Sequence, residues 1–437
     1  MANPTPTTLD KIISLCRRRG FIFQSSEIYG GLNACYDYGP LGVELKRNVK
    51  DFWWNWMVRR RRDVVGLDAA ILMAPRVWEA SGHVAGFTDP MVDCKVCKRR
   101  FRADMVPEPG KCPECGGQMT DIRQFNLMFK TFMGAVEDSA SVVYLRPETA
   151  QGIYVNYRNV LDSSRQKVPF GIGQIGKAFR NEITTENFIF RTREFEQMEM
   201  QFFVKPGTDM EWFESWKEDR KNYYAALGIN PAKTRFHQHG EDELAHYAAA
   251  AFDIQYEFPF GWKELEGIHN RTDFDLKRHQ EYAGVDLSYF DEVTRERYVP
   301  YIIETSAGVD RTMLCILCDA FEEQELEKDT RTVLHFHPAI APVKAGIFPL
   351  VKKEGMPEIA HQIEAMLQPY YAVFYDESGA VGRRYRRQDE VGTPFCITVD
   401  TETLENETVT VRDRDTMQQE RMKIAELTAF LHKKING

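Results

Sequence analysis

Arginines, carboxylates and one aromatic ring converge on a predicted β-hairpin over residues 171–203. In its second strand, polar and apolar side chains alternate with the two-residue period of a half-buried strand. The apolar face carries Met198, Met200 and Phe202, and the opposite face carries Phe195, Gln197, Glu199 and Gln201. A carboxylate suits an ammonium or a hydroxyl, and an aromatic face suits a flat base. The polar face therefore predicts a ligand site, with a salt-bridged, exposed sheet as the alternative.

The first strand of the hairpin and the loop that follows it supply the cations of this surface. Arg180 and Glu182 share one face by the same two-residue period, and the loop adds Arg191 and Arg193. A guanidinium group matches phosphate through paired hydrogen bonds. The pattern therefore predicts that the ligand carries phosphate.

A second candidate site lies at residues 298–317, where an apolar strand is expected to end at Glu304 and Thr305. Residues 306–308 are predicted as a turn, because a glycine there lets the backbone approach a ligand. The helix predicted to follow carries Arg311, and both a helix N-terminus and an arginine favour an anion. An ordinary strand-to-helix connection is the alternative interpretation.

Four of the nine cysteines have the spacing of a zinc site, two C-x2-C pairs separated by fourteen residues. These are Cys94, Cys97, Cys112 and Cys115. Two such pairs bring four thiolates together, and four protein ligands leave no open coordination position. We therefore predict a structural Zn²⁺ ion, with a metal-free relic or a redox pair as alternatives. Cys315 and Cys318 repeat the spacing on an apolar helix and are predicted to be core residues.

Composition excludes several classes of protein. The net charge of −9 does not indicate a general nucleic-acid binder, so any RNA surface must be a local basic patch. The candidates are residues 59–62 and the arginines at 383, 384, 386 and 387, where Tyr385 could stack on a base, although a solvated charged face is the default interpretation of both runs. No apolar run approaches the roughly 20 residues that span a bilayer. The N-terminus lacks the pattern of a secretory signal, which favours a cytoplasmic protein without contact to a membrane.

The predicted elements divide near residues 331–341. A chain of 437 residues with 43% hydrophobic content is expected to form two or three domains. Helices are predicted from residue 9 to Gly20 and over residues 43–62, 207–228 and 241–252, with strands over 253–287. Beyond the division, strands and helices alternate in a unit of about 100 residues that ends with a helix over 418–435.

Together, the two candidate sites resemble motifs 2 and 3 of the class II aminoacyl-tRNA synthetases. A wider set of motifs is similar to the glycyl-tRNA synthetase family of the homodimeric type. In family order, these motifs are SSEIYGG (25–31), DYGPLG (37–42), LRPETAQG (145–152), FRNEI (179–183), FRTREFEQME (190–199), RTDFDL (271–276), ETSAGVDR (304–311) and RTVLHFHPAIAP (331–342). They span nearly the whole chain, so the resemblance is far more specific than a single glycine pattern.

The resemblance implies an α/β (α+β) fold. A class II synthetase antiparallel sheet flanked by helices would occupy residues 1–335, with a zinc-knuckle-like insert at about residues 90–122. A C-terminal α/β anticodon-binding domain would occupy residues 336–437. The helix over 43–62 corresponds to motif 1, the dimer interface of the class, so a homodimer is implied. The alternative is that its tryptophans belong only to the core.

The activity implied by the resemblance is that of a glycine–tRNA ligase. Glycine would be attached to tRNA(Gly) through a glycyl-adenylate, with release of AMP and pyrophosphate, and ATP and Mg²⁺ would be required. Arg180 and Arg311 would be catalytic, because they would hold the α- and γ-phosphates of ATP. The other residues implied in ATP binding are Asn181, Glu182, Phe190, Arg191, Thr192, Arg193, Glu194, Phe195, Glu264, Leu265, Gly308, Val309 and Asp310.

Because glycine has no side chain, its ammonium group must supply most of the binding. The resemblance implies three carboxylates for this role, those of Glu148, Glu199 and Glu304. The other residues implied around glycine are Arg102, Phe195, Glu196, Gln197, Met198, Thr305, Ser306, Ala307 and Gly308. Alanine would be rejected by a steric clash, since a methyl group alone discriminates by only about 1–3 kcal/mol.

Two other functions are compatible with parts of this pattern. A non-catalytic relative that binds nucleic acid would be expected to lose the arginines of motifs 2 and 3, but Arg180 and Arg311 are both present. A ligase for proline, threonine or histidine is disfavoured by the three acids, and the cysteines lie in an insert rather than in the site. The glycine-specific ligase is therefore the preferred hypothesis.

Overall fold

Two separate β-sheets and the helices packed on them make up most of the molecule. The computed structural model describes residues 7–138, 140–183, 185, 187–240, 243–244, 248–326, 330–353 and 355–436. Its α-helices are α1 (Thr8–Arg19), α2 (Pro40–Trp54), α3 (Pro75–Ala80), α4 (His83–Gly86), α5 (Ala150–Ser164), α6 (Asp209–Ala226), α7 (Phe274–Ala283), α8 (Val309–Ala320), α9 (Met356–Leu367), α10 (Val381–Val391), α11 (Thr401–Asn406) and α12 (Leu427–Asn436).

The strands before residue 335 are β1 (Ile22–Gln24), β2 (Tyr36–Tyr38), β3 (Val64–Gly66), β4 (Thr88–Asp93), β5 (Arg100–Arg102), β6 (Arg123–Asn126), β7 (Lys130–Phe132), β8 (Val142–Tyr144), β9 (Phe170–Phe179), β10 (Glu194–Val204), β11 (Thr234–Gln238), β12 (Ala250–Phe258), β13 (Gly261–Thr272), β14 (Tyr289–Phe290), β15 (Arg297–Tyr298), β16 (Tyr301–Gly308), β17 (Phe321–Glu325) and β18 (Thr330–Leu334). The later strands are β19 (Ala345–Pro349), β20 (Val373–Tyr375), β21 (Phe395–Val399), β22 (Thr408–Asp413) and β23 (Gln419–Lys423).

The larger sheet has seven strands in the order β11-β12-β13-β16-β10-β9-β3. All neighbours are antiparallel except β3, which pairs parallel to β9. One face buries Met198, Met200 and Phe202 against α2, α6 and α8. The two-residue period therefore directs the intervening polar side chains of β10 to the opposite face.

That opposite face is covered by helices at only one end. There, Tyr154 and Tyr157 of α5 and Leu276 of α7 pack on Phe203 and Ile302 of the sheet. The rings of Tyr157 and Phe203 lie 4.6 Å apart between centroids. The helices stop short of the rest of the face, where the polar residues of β10 begin. An antiparallel sheet flanked by helices, as predicted, is thus confirmed.

The smaller sheet has the order β20-β19-β21-β22-β23 and combines parallel and antiparallel pairs. Its apolar core, formed with α9 and α12, includes Ile347, Ile363, Ile397 and Leu431. The predicted alternation of strands and helices is confirmed as far as β22. The helix predicted over 418–435 is wrong in its first part, because Gln419–Lys423 pairs with β22 as an edge strand.

Three further local predictions are wrong. Residues 274–283, inside the stretch 253–287 predicted as strands, form helix α7. Residues 306–308 do not form a turn, because they continue β16 between β10 and β13 and lead directly into α8. Residues 250–252, predicted as helical, begin β12. Residues 241, 242 and 245–247 of that predicted helix lie outside the described residues. Within the described parts of the chain, no helix is long and apolar enough to cross a membrane.

A buried charge network joins the two-stranded sheet β17–β18 to the smaller sheet. Asp389 on α10 accepts hydrogen bonds from Arg331 of β18 at 2.8 Å and from Arg412 of β22 at 2.9 Å. Asp389 and Arg331 are 0% and 1% exposed. Two buried guanidinium groups share this one carboxylate. If the carboxylate is lost, neither group has another ion-pair partner among the described residues. The network therefore ties the segment before residue 335 to the smaller sheet.

We predict that Asp389→Asn lowers the free energy of unfolding by about 3–5 kcal/mol, because two buried cations lose their counter-charge. The matched control is Asp162→Asn, which breaks an exposed i,i+4 pair with Arg158 and should change stability by less than about 1 kcal/mol. Urea titration of both variants at one protein concentration measures the difference. Equal shifts of the two midpoints would contradict the assigned role of the network.

Candidate active site

A cavity of about 510 Å³ opens on the uncovered polar face of the larger sheet. Its walls come from the segment before α5, from the hairpin β9–β10, from β13 and β16, and from the first turn of α8. The lining residues are Glu148, Arg180, Glu182, Ile189, Phe190, Arg191, Thr192, Phe195, Gln197, Glu199, Lys263, Glu264, Gly267, His269, Arg271, Glu304, Ser306, Gly308, Asp310 and Arg311.

The pairing of the strands determines which side chains form the floor of this cavity. Glu199 of β10 faces Ser306 of β16, and Glu304 of β16 faces His269 of β13. Opposite residues in antiparallel strands lie on the same face of the sheet, so these four side chains point the same way. Gly267, beside Ser306, has no room for a side chain, because a Cβ would lie 2.6 Å from Cε1 of His269. The floor is therefore polar and closely packed.

Two carboxylates on this floor interact strongly. The Nε2 group of Gln201 donates to Glu199 at 2.9 Å and to Glu304 at 3.1 Å. Burial and repulsion from Glu304 raise the pKa of Glu199 well above its ordinary value. Burial also opposes the ionisation of Glu304, but Arg271 and His269 hold the pKa of Glu304 well below its ordinary value. Glu304 is therefore the charged member of the pair, and Glu199 is the member that retains a proton more readily.

The third acid, Glu148, lies at the end of the segment that leads into α5. His83 approaches it at 3.4 Å and Gln151 donates to it at 2.9 Å. Although burial opposes ionisation, His83 and Arg271 lower the pKa of Glu148 to about 2. Arg271 itself lies 2.9 Å from Glu304 and is held by Asp275 at 2.8 Å. This end of the cavity thus concentrates negative charge that one buried arginine only partly balances.

The other end of the cavity is basic. Arg180 donates to the carbonyl of Pro147 at 3.0 Å, and its guanidinium group lies 5.4 Å from the ring centroid of Phe195. Arg191 pairs with Glu182 at 2.7 Å. Arg311 pairs with Glu264 at 3.2 Å. Arg311 also lies 4.4 Å from the ring centroid of Phe190, and all three arginines line the same cavity as Phe195. Guanidinium groups and aromatic rings on one cavity wall form a site for a phosphorylated compound with a flat base.

Comparisons with known proteins agree with this geometry. Residues 132–320 match the family described as "tRNA synthetase class II core domain (G, H, P, S and T)". Residues 340–434 match the family described as "Anticodon binding domain". The predicted fold class, a class II synthetase core with a C-terminal anticodon-binding unit, is therefore confirmed.

Several relatives are similar to this chain over nearly its whole length. The chain is 60% identical to a glycine–tRNA ligase of Treponema denticola over 98% of both chains. It is 58% identical to the glycine–tRNA ligase of Borreliella burgdorferi, over 98% of this chain and 97% of the relative. The identity to the glycine–tRNA ligase of Bacillus cereus is 55%, over 98% and 99% of the two chains. This chain belongs to the glycine–tRNA ligase family.

Fifteen residues predicted for the site line the cavity of this glycine–tRNA ligase family member. They are Glu148, Arg180, Glu182, Phe190, Arg191, Thr192, Phe195, Gln197, Glu199, Glu264, Glu304, Ser306, Gly308, Asp310 and Arg311. The sheet explains this result, since alternate residues of β10 and β16 must share one face.

The structure directs five other predicted residues into the protein instead. They are Met198, Leu265, Thr305, Ala307 and Val309, all of which are buried. Met198, Thr305 and Ala307 alternate with strand neighbours that line the cavity, so the two-residue period places their side chains on the opposite face. Leu265 is the unpaired residue at a register shift between β12 and β13, and it belongs to the core. Val309 begins α8 and belongs to the core beneath the sheet. Any contact of these residues with a ligand would have to be made by their backbone.

Five more predicted residues are polar but lie outside the cavity wall. Asn181 donates its backbone N–H to the carbonyl of Leu127. Arg193 donates to the carbonyl of Glu182 at 2.9 Å. The other three form ion pairs, Glu194 with Lys177, Glu196 with Lys46 and Lys50, and Arg102 with Asp89 and Asp104. These residues shape the surroundings of the cavity rather than its surface.

Five lining residues were missed from the sequence, namely Ile189, Lys263, Gly267, His269 and Arg271. Arg271 is the first residue of the RTDFDL motif, and His269 lies two residues before it. Their closeness to a family motif could have identified both as site residues. Two nearby histidines do not line the cavity, since the structure pairs His239 with Asp253 at 2.9 Å and His237 with Glu243 at 3.4 Å.

The four cysteines of the insert converge as the spacing predicted. All four sulfur atoms lie within 4.8 Å of one another. The Sγ atoms are 3.5 Å apart between Cys94 and Cys115 and 3.7 Å apart between Cys97 and Cys112. Tetrahedral Zn–S bonds of about 2.3 Å require sulfur–sulfur distances near 3.8 Å. The donor set therefore fits zinc. Cys315 and Cys318 are buried in the core, as predicted.

The basic run on α10 is less exposed than its composition suggests. Arg384 is 3% exposed and donates to the backbone carbonyls of Pro349 and Gly379. The hydroxyl group of Tyr385 bonds Thr398, and Arg412 covers its ring at 4.9 Å, so it is not free to stack on a base. Arg383 remains exposed. The prediction of an interleaved basic and aromatic RNA surface here is wrong.

Opposite pKa shifts of two neighbouring acids predict opposite effects on stability. The raised pKa of Glu199 means that ionisation destabilises the folded state, increasingly as pH rises above about 4.5. The lowered pKa of Glu304 means that its ionisation stabilises the folded state above that pH, and this contribution is lost as pH falls. At pH 7, we predict that Glu199→Gln stabilises by about 1 kcal/mol and Glu304→Gln destabilises by about 1–3 kcal/mol.

Thermal unfolding between about pH 4 and pH 8 checks this prediction. Each variant serves as the control for the other, because the substitution is the same and the two side chains share Gln201. Both differences from wild type should shrink towards pH 4. Effects of the same sign at pH 7 would contradict the assignment of charge within the pair.

Proposed function

We propose that this chain is a glycine–tRNA ligase that forms glycyl-adenylate from glycine and ATP and then glycylates tRNA(Gly). The observation that carries the proposal is the pairing, within one cavity, of three carboxylates at one end with three arginines and the ring of Phe195 at the other. An ammonium group and a nucleotide are thereby accommodated side by side. The family membership supports the same reaction.

In the first step, a carboxylate oxygen of glycine attacks the α-phosphorus of ATP. The bond from that phosphorus to the bridging oxygen of the β-phosphate breaks, and pyrophosphate leaves. This in-line displacement requires alignment and charge neutralisation more than a general base. We assign Arg180 to the α-phosphate and Arg311 to the γ-phosphate. Arg191 is the better candidate for the β/γ end than Arg193, because only Arg191 lines the cavity.

Adenine is proposed to stack on Phe195, which lies at the basic end of the cavity beside Arg180. The ammonium group of glycine is proposed to bind at Glu148, Glu199 and Glu304. Ser306 and Gln197 adjoin this end, with Nε2 of Gln197 donating to Oγ of Ser306 at 3.3 Å. Polar side chains already bonded to one another leave little space for a methyl group, which supports selection against alanine.

The family implies Mg²⁺, and two acids on the cavity wall fit it. Glu182 and Glu264 offer the carboxylate oxygens that this ion prefers, and both face the basic end. When bound, the ion would neutralise charge on phosphate oxygens. Each of these carboxylates is paired with an arginine, so each already binds a positive charge.

In the second step, a hydroxyl group of the terminal adenosine of tRNA attacks the carbonyl carbon of the adenylate, and AMP leaves. The anticodon is proposed to bind the C-terminal unit. We propose a division into residues 1–335 and 336–437, with an insert at about 90–122. Support comes from the separate apolar cores of the two sheets and from the match to an anticodon-binding domain at 340–434.

A homodimer and a cytoplasmic location are also proposed. The dimer rests on the resemblance of residues 43–62 to motif 1. Trp53 there is fully buried in the core, whereas Trp54 and Trp56 are only partly buried. The location is supported by the reaction partners and by the nine cysteines, none of which forms a disulfide bond. We further propose that the four insert cysteines hold one structural Zn²⁺ ion.

Exchange of labelled pyrophosphate into ATP tests the proposed chemistry without tRNA. We predict exchange with glycine, and none above background with alanine, serine, proline or threonine. Arg180→Lys should reduce the glycine-dependent rate by about 10²–10³-fold, because one preorganised donor to the reacting phosphate is displaced. Arg383→Lys, on the exposed surface of α10, is the matched control and should retain the wild-type rate.

Exchange with a different amino acid would overturn the assignment of the three acids while leaving the adenylation chemistry in place. Absence of exchange with every amino acid, repeated with tRNA present, would instead favour the non-catalytic relative.

Metal analysis of the purified protein tests the zinc site. We predict about one Zn²⁺ per chain, and loss of the metal in Cys97→Ser and Cys115→Ser, since tetrahedral thiolate sites need all four ligands. Cys35→Ser, which alters a thiol outside the cluster, is the control and should retain zinc. Trypsin should cleave near Arg99 faster in the variants, because the metal organises this insert. A wild-type protein that neither contains nor takes up zinc would contradict the site.

A further inference from the structure

Two acids that the family resemblance assigns to ligand binding have their carboxylates occupied by the protein itself. Both oxygens of Asp310 are engaged. Oδ1 accepts a hydrogen bond from the hydroxyl group of Tyr38 and lies 3.1 Å from Nζ of Lys46, and Oδ2 accepts the backbone N–H of Glu196 at 2.8 Å. The side chain of Glu196 pairs with Lys46 at 2.7 Å and with Lys50 at 3.0 Å.

These contacts form one closed cluster of charge. Lys46, Lys50, Glu196 and Asp310 carry two positive and two negative charges. Lys46 and Asp310 are 9% and 5% exposed, and the ammonium group of Lys46 also lies 4.1 Å from the ring centroid of Tyr38. A buried ion pair is costly to break on one side only, because the remaining charge is left without a partner. The cluster is therefore expected to be rigid.

The cluster joins the two motifs that build the basic end of the cavity. Glu196 follows Phe195 directly on β10, and Asp310 precedes Arg311 directly on the first turn of α8. Both acids attach to α2, which supplies the two lysines. Glu196 therefore fixes Phe195, and Asp310 fixes Arg311. Both fixed residues face the cavity, although the carboxylates of the two acids are bonded to other groups of the protein.

The contact of Asp310 with the backbone has a specific geometric role. The pairing of β10 with β16 ends at Gln197 and Gly308, where the chain leaves the sheet for α8. The N–H group of Glu196 would have no strand partner beyond that point. Oδ2 of Asp310 takes the place of the missing carbonyl and so continues the ladder by one hydrogen bond. The first turn of α8 is thereby held against the residue that follows Phe195.

We propose that Asp310 and Glu196 are positioning residues that hold Arg311 and Phe195 in the mutual orientation required for ATP. The proposal rests on the proposed function, since it concerns the same site. It assigns to helix α2 the role of a rigid support for both motifs. A displacement of about 1 Å between reacting groups can cost about 100-fold in rate, so loss of the cluster should appear in catalysis.

The competing interpretation is that Asp310 contacts ATP or its metal directly, since it borders the cavity. The two interpretations differ in what they require of Tyr38 and Lys50, neither of which lines the cavity. A positioning role requires that distant members of the cluster affect the rate as Asp310 does. A direct role makes them irrelevant.

The experiment measures glycine-dependent pyrophosphate exchange for wild type, Tyr38→Phe, Lys50→Met, Asp310→Asn and the double variant Tyr38→Phe/Asp310→Asn. Steady-state rates are taken as functions of ATP and of Mg²⁺ concentration. Tyr370→Phe, an exposed tyrosine of the C-terminal part, is the matched control. Thermal unfolding of each variant reports its folding.

We expect Asp310→Asn to lower kcat by about 10–100-fold, and Tyr38→Phe and Lys50→Met to lower it about 3–10-fold, with an unchanged Mg²⁺ requirement. The double variant should be no slower than Asp310→Asn alone, because both substitutions break one unit. Wild-type kinetics in Tyr38→Phe and Lys50→Met, with a raised Mg²⁺ requirement in Asp310→Asn, would overturn the proposal. If wild type itself shows no exchange, the proposed function fails. If Asp310→Asn does not fold, the two remaining single variants decide.

Discussion

Burying carboxylates side by side on a sheet is the constraint on which the rest of this site depends. Glu199 and Glu304 share the amide of Gln201 on the buried floor of the cavity, where like charges repel strongly. Arg271 relieves this repulsion at Glu304, and Asp275 fixes Arg271 through contacts at 2.8 Å and 3.0 Å. Helix α7 carries Asp275 and so supports one buried cation. The negative charge at this end is what would attract the ammonium group of the proposed substrate.

The basic end of the cavity is organised differently. Arg191 and Arg311 are each paired with an acid, so a phosphate bound as proposed would have to replace a carboxylate. Arg180 has no such partner among the described residues, and it contacts the carbonyl of Pro147 and the ring of Phe195. The arginine proposed for the reacting phosphate is thus free of an acid, whereas the other two would exchange partners in the proposed complex.

Much of this site follows from strand periodicity, and the rest depends on contacts that periodicity does not describe. Alternation along β10 was sufficient to predict that Phe195, Gln197 and Glu199 share a face. It did not reveal Arg271, because the pairing of β13 with β16 shifts register between Asn270 and Thr272 and breaks the pattern. The predicted turn at 306–308 failed because small residues there fit a crowded strand position beside Gly267 and Glu199, not a bend.

Resemblance to a family predicted which segments meet, but not which side of each segment faces the ligand. Glu196 and Asp310 fall within family motifs, yet their carboxylates are bonded to α2 and to the backbone of β10. Arg102 lies in the insert, and its pairs with Asp89 and Asp104 could not be inferred from the spacing of the cysteines. Side-chain direction is set by tertiary contacts between distant segments, which a single sequence does not display.

The geometry of β10 would let one strand serve both substrates of the proposed reaction. Successive residues advance by about 3.3 Å, so the side chains of Phe195 and Glu199 lie about 13 Å apart along the strand. With the ammonium group at the acids and the base at Phe195, as proposed, the carboxylate of glycine would lie near Gln197, between the acids and Arg180. A single register of strand pairing would then fix the order of ammonium, carboxylate, phosphate and base, and the proposed chemistry would follow from that order.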